Sequence, residues 1–373
     1  MAVYKLFSEK DTTILSQYPA QNTGRDEILD ISNYNGLNIN SSAAGDLPAV
    51  ARSLVQFKQS TIDDIVDNTI GSSNYKANLK LFLANAENAP LDYEIYAYPI
   101  SGAWDMGTGK YLDSPQTTNG VSWAYRSYSG SNAWATESFS AYVTASFSGS
   151  NGGGGNWYTG STTVNPEASQ SFTYTSDKDI SLNVTNAIKL WTAASFSNDG
   201  FIVKLGDEHE FVDEYIETQY FSMDTHTIYP PELEFKWDDS SYDTPLSPVT
   251  SSDFVIGFTN LKEEFEDRSI YKFRVKARDK FPARAFQSSS VYLNAKALTS
   301  SSYWGLKDIK TDQMVIDFDT SYTKISADSG SNFFTVHMNG LEPERYYQLM
   351  IKTIVEGETL IIEDKGNYFK VVR

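Results

Sequence analysis

Arg52-Ser53-Leu54-Val55-Gln56-Phe57 is the stretch whose reading decides the fold. Leu54 and Phe57 bracket a short apolar run, and about twenty residues later Leu79-Lys80-Leu81-Phe82-Leu83 alternates with the period of a strand that has one face on a core. Two core strands at that spacing, with Trp104 beyond them, predict an all-β sandwich with long crossing loops. Aromatic residues make up 14% of the chain, a share that favours strands and extended contact surfaces.

The length of 373 residues allows two domains, and the charge is divided to match. Residues 1–240 hold 13 basic and 30 acidic side chains against 17 and 18 in 241–373, so a boundary is expected near 240, in the polar linker from Asp238 to Ser252 with Pro245 and Pro248. A formal net charge of −18 sets the surface against phosphate, and nucleic acid is not an expected partner. The absence of cysteine excludes disulfides, thiolate metal sites and a cysteine nucleophile. Met1 to Phe7 lacks the pattern of a signal peptide and no apolar run reaches 18 residues, so neither an export signal nor a membrane span is expected.

Before the boundary, strands are predicted at Val3 to Phe7, Thr12 to Leu15, Glu27 to Ile31, Arg52 to Phe57, Leu79 to Leu83, Tyr93 to Tyr98, Phe201 to Leu205, Phe221 to Ile228 and Leu233 to Trp237. Thr61 and Thr185 are plausible caps for two short helices, over Thr61 to Asp67 and over Asn186 to Trp191. Beyond it, Phe254 to Phe258, Tyr271 to Arg278, Val291 to Ala295, Met314 to Phe318, Phe333 to Met338, Tyr347 to Val355 and Tyr368 to Val372 predict an immunoglobulin- or fibronectin-III-like sandwich. Lys272, Arg274, Lys276 and Arg278 share a strand face, read as solvated and paired with Glu263, Glu264 and Glu266.

Residues 126–163 are an insertion of Ser, Gly, Asn and aromatics with scarcely any charge, including Gly152-Gly153-Gly154-Gly155. No Gly-Lys-Ser/Thr ending follows the glycines, which argues against a phosphate cradle. Trp134, Trp157 and Tyr158 either pack back on the sandwich or, with Trp123, face a partner or a sugar; these four are the candidate binding residues. No reaction is signalled. His209, His226 and His337 do not stand at metal-ligand spacing, the acidic run Asp207-Glu208-His209-Glu210 with Asp213 and Glu214 lacks the spacing of a calcium loop, and no Gly-x-Ser-x-Gly elbow occurs. No catalytic residue, metal or cofactor is expected.

The N-terminal part resembles the DNRLRE-type jelly-roll family, a carbohydrate-binding-module-like sandwich. The matching residues run in the family's order: Asn22-Thr23-Gly24, Ile28 to Ile31, Arg52 to Phe57, Leu79 to Leu83, Trp104 with Val121-Ser122-Trp123, Asn183-Val184-Thr185 with Trp191, and Asn198 to Lys204. The C-terminal part is similar to fibronectin-III-like modules, with Leu341 to Tyr347 resembling the turn into that fold's tyrosine. As a whole the chain resembles virion structural proteins of large contractile-tailed bacteriophages.

That resemblance implies a non-enzymatic component of the neck, tail or baseplate, located in the virion and acting through other virion proteins. Ordering a glycine-rich, nearly uncharged segment as long as 126–163 is costly for a chain alone, so a homo-oligomer or ring-repeated subunit is expected, in which a neighbour orders the insertion. The alternative is a carbohydrate-binding or adhesive module contacting host glycans.

Overall fold

The computed structural model describes residues 2–34, 49–71, 73–87, 89, 92–128, 131–134, 143–145, 153–160, 165–210, 215–282 and 294–373. Strand accounts for 47% and helix for 9%, so the chain is all-β, built of several antiparallel sheets of which one curls into a half-barrel. It divides into two compact units. The first comprises Leu6–Gly71 and Lys76–Glu234; the second comprises Met1–Lys5, Ser72–Tyr75 and Phe235–Arg373.

In the first unit the curled sheet runs in the order Ala168–Thr173, Asp92–Pro99, Phe201–Leu205, Ala49–Gln56, Ile28–Tyr34, Ile216–Phe221, Leu83–Glu87, with Lys10–Leu15 paired on Ala49–Gln56. The Ala49–Gln56 and Phe201–Leu205 strands are buried on both faces. One face carries the cluster of Ile14, Val50, Leu54 and Ile202 with four tryptophans, Trp104, Trp123, Trp134 and Trp157. Leu79 and Leu81, paired with Leu182 and Ile180, are buried in a separate sheet.

Leu79 to Leu83 is therefore two strands rather than the single one expected. Tyr75–Leu81 ends, Phe82 turns the corner, and Leu83–Glu87 joins the curled sheet, its first amide donating to Asp179 at 2.8 Å. The strand expected at Phe221 to Ile228 lies earlier, at Ile216–Phe221. From Ser222 onward side chains take the backbone's hydrogen bonds: Ser222 Oγ accepts from the Asp224 amide and Thr225 Oγ1 from the Thr227 amide, which favours turns over a ladder.

Both helix caps also differ from expectation. The first helix, Gln59–Asp64, starts after Lys58 with no side-chain cap and continues as a π-helical turn, Ile65–Ile70. The second is Thr185–Thr192, so Thr185 is its first residue; its hydroxyl accepts from the Ala77 amide and donates to Asn183.

The second unit is a sandwich of two sheets: Phe254–Phe258, Ile270–Asp279, Asn332–His337, Ser326–Ala327, and Glu264–Glu266, Glu358–Val372, Tyr346–Val355, Ser302–Asp308, Met314–Ile316. Phe273, Trp304, Phe334, Tyr347 and Phe369 fill its core, with Trp304 stacked on Phe334 at 5.0 Å. Tyr347 Oη donates to the carbonyl of Glu342 at 3.0 Å, the hydrogen bond that pins a tyrosine corner. Ser302–Asp308 escaped the sequence reading because it is buried on both faces and interrupted by Gly305, and so shows no alternation. Of the strand expected at Val291 to Ala295, residues 291–293 lie outside the described residues.

On the cationic face Lys272 and Arg274 have partners, but not the glutamates expected. Arg274 makes a two-pronged contact with Asp328 at 3.2 and 3.0 Å, and Lys272 Nζ lies 3.4 Å from the Phe333 ring centroid. Phe333 is the cross-strand neighbour of Arg274, and Asp328 lies in the turn that leads into the same Asn332–His337 strand.

Candidate functional site

Arg52 and Lys204 are cations inside otherwise apolar strands, and two unpaired buried charges there would cost several kcal/mol each. Their solution is a shared carboxylate. Arg52 donates through Nε and Nη2 to the two oxygens of Glu210 at 2.6 and 2.7 Å, and Lys204 Nζ lies 3.0 Å from the same carboxylate and 2.7 Å from Asp207. Asp207–Glu210 is a short helix that turns Glu210 fully inward, and the backbone is held there by Asn33 Nδ2, which donates to the carbonyl of His209 at 2.7 Å. The acidic run thus serves two cations of the sheet; Asp213 and Glu214 lie outside the described residues. No group of His, Asp and Glu among the described residues could hold a metal ion.

The tryptophans close over this ion cluster. The Arg52 guanidinium stands 4.9 Å from the ring centroid of Trp123 and 5.4 Å from that of Trp157, with Lys204 5.7 Å from the latter. Trp134 is buried in the same cluster, its Nε1 donating to the Ser122 carbonyl at 2.9 Å. The glycine run supplies the remaining wall: Gly154 offers its carbonyl to Arg52 Nη1 at 2.6 Å, and Gly153, at φ +125°, passes so close that a Cβ would stand 2.3 Å from the Trp123 carbonyl. Glycine is required there for backbone approach.

Of the four candidate residues, Trp123, Trp134 and Trp157 are therefore brought together, with their rings facing inward. Tyr158 points elsewhere. Half-buried, it stacks on Phe196 at 4.1 Å with the planes 5° apart, at the edge of a pocket of about 650 Å³ lined also by Gln59, Asp63, Asp67, Trp191 and Asn198. Gln59 Oε1 and Trp191 Nε1, an acceptor and a donor, are buried there without partners among the described residues. Of the 126–163 insertion, residues 129–130, 135–142, 146–152 and 161–163 lie outside the described residues. The described part pairs with itself, Asn156–Tyr158 against Val143–Ala145 and Tyr125–Ser127 against Asn132–Ala133.

The neighbouring tyrosines extend the site along the Asp92–Pro99 strand. Tyr98 lies 5.6 Å from Trp157 and stacks on Tyr96, and burial raises its phenol above the usual range. Tyr96 donates to Glu94 at 2.5 Å, a bond that pushes its own pKa up to about 12 and holds the Glu94 carboxyl low. Sequence reading missed Lys204, Glu210 and Phe196 as site residues and took Arg52 only as a core residue. The signal for the ion cluster was a cation within an apolar strand, which demands a buried anion without saying where in the chain it lies.

A comparison with protein-family models finds no match, and a comparison with curated proteins finds none.

Proposed function

We propose that the chain is a non-enzymatic structural component of a tailed-bacteriophage virion, in the neck, tail or baseplate, working through contacts with other virion proteins as a homo-oligomer or ring-repeated subunit. The observation that supports this reading best is how the side chains are spent. The charges of the sheet's interior neutralise each other around Glu210, while large apolar side chains remain on the surface, among them Leu112, Phe281, Ile270 and Ile361. Apolar side chains left in solvent are available to be buried against a partner. Resemblance to a DNRLRE-type jelly roll and to fibronectin-III-like modules supports the same setting. Mass spectrometry of purified virions tests it: the chain should be present in a fixed stoichiometric ratio to the other tail and neck proteins, and its absence would end the proposal.

A second reading, a host-glycan-binding module, is favoured by one observation: the Tyr158–Phe196 stack beside unpartnered donor and acceptor atoms of Trp191 and Gln59. Aromatic platforms with a few polar groups are what sugar rings require. Under this reading Tyr158→Ala and Phe196→Ala abolish glycan-array binding and reduce host adsorption, and an array without signal removes it.

A further inference from the structure

On the first unit, away from the tryptophan cluster, the Ile28–Tyr34 and Ile216–Phe221 strands form the floor of a pocket of about 680 Å³. The register pairs Asp30 with Gln219 and Ser32 with Glu217, so these side chains share one face and Asp30 and Glu217 are diagonal neighbours, a relationship that sets strand positions roughly 7 Å apart. Gln219 Nε2 donates to one oxygen of Asp30 at 3.0 Å. Ser32 is fully buried, yet its hydroxyl has no hydrogen-bond partner among the described residues although it lines this cavity. Ala49 and Ala51 beside it keep the floor low.

The rim adds a wall and a charge. Tyr18 and Tyr111 meet edge to face at 6.0 Å, and Leu112 beside them is 86% exposed. Among the described residues, four acidic side chains line the pocket, Asp26, Glu27, Asp30 and Glu217, against one cation, Lys110.

We propose that this pocket receives an arginine side chain presented by a partner polypeptide, its guanidinium between Asp30 and Glu217 and its stem along Tyr18, Tyr111 and Leu112. Charge sets the sign of the ligand: a neutral sugar would leave the carboxylates repelling one another, whereas a cation relieves them. The pairing of acidic groups on the floor favours arginine over lysine, because a planar fork of donors can serve neighbouring carboxylates with separate N–H groups, whereas an ammonium is a compact point charge. The aromatic edge pair and Leu112 cover the apolar stem. The inference stands on this geometry and does not depend on the virion reading.

The test uses the full chain and a fluorescein-labelled Gly-Gly-Arg-Gly-Gly peptide at about 0.15 M salt, where long-range attraction to an acidic protein is largely screened. The same peptide with citrulline, the neutral isostere, is the comparison. Saturable binding of the arginine peptide is expected, with the citrulline peptide about tenfold weaker or worse. Glu217→Gln, on a half-buried side chain, should weaken binding severalfold, and Asp30→Asn, where Gln219 can re-pair, should do the same. Glu356→Gln with Glu358→Gln, exposed acidic positions of the second unit, should leave it unchanged. Equal binding of the citrulline peptide, equal loss in the distant double variant, or no saturable binding at millimolar peptide would each overturn the proposal.

Discussion

Glu210 accepts both arms of the Arg52 guanidinium at 2.6 and 2.7 Å, with both side chains excluded from solvent. Removing the carboxylate leaves two cations, Arg52 and Lys204, inside the sheet. Glu210→Ala is therefore expected to cost about 3–5 kcal/mol of stability. Calorimetry on the purified variant checks this, and a loss below about 1 kcal/mol would mean that water or Asp207 replaces the carboxylate. Arg52→Lys should also destabilise, because an ammonium cannot make the paired contact or cover Trp123 and Trp157 as a guanidinium does.

Asn22 is a second fixed point. Fully buried, it donates to the carbonyls of Met106 and Val121 at 2.7 and 2.8 Å and accepts from the amides of Gly24 and Gly109. Asn22→Ala should cost roughly 2–4 kcal/mol, since it strands buried backbone groups on both sides. Gly107→Ala should act on the same clamp: its φ is +77°, and the new Cβ would stand 2.3 Å from Asn22 Oδ1. Denaturant unfolding measures both, and an unchanged midpoint for Asn22→Ala would refute the clamp.

Acid should act with opposite signs on one buried carboxyl of the first unit and one buried imidazole of the second. In the first, burial raises the pKa of Asp11 to about 7, from an ordinary value of 3.8. The folded form then holds a proton that the unfolded chain releases, so this contribution is full below about 3.8 and is lost as pH rises to about 7. In the second unit, burial lowers His337 to about 4 from 6.5, so its contribution is full above 6.5 and is lost as pH falls through about 4. Asp11→Asn should raise the melting temperature at pH 7.5 more than at pH 4.5, and His337→Gln should matter more at pH 4.5. Hydrogen exchange resolved by segment at the two pH values separates the units.

The tyrosine corner gives a local prediction for the second unit. Tyr347→Phe removes the hydrogen bond to the Glu342 carbonyl while keeping the ring in the core, and should cost about 1–3 kcal/mol without altering the fold. Chemical denaturation with an unchanged slope and a lowered midpoint is the expected record.

Much of this architecture is written locally. Alternation in Tyr271 to Arg278, the apolar run at Phe201 to Leu205 and the turn before Tyr347 depend on side-chain period and turn chemistry within a few residues, and each was legible from the sequence. Strands covered on both faces were harder: Ser302–Asp308 loses the alternation that marks a strand, although Trp304 lies at the centre of the core. The corner at Phe82 was invisible for a related reason, since the two halves of one apolar run enter different sheets.

The candidate sites belong to the tertiary structure. Arg52 and Glu210 stand 158 residues apart in the chain, and Asp30 and Gln219 189 apart. The sequence determined the chemistry those places need, because a cation in an apolar strand must be matched and an aromatic residue must be covered or used. Which carboxylate answers Arg52, which of the four aromatics keeps an exposed face, and where Asp30 meets Glu217 were decided only when strand pairing fixed the register. Non-local hydrogen-bond ladders set those distances, and no local signal carries them.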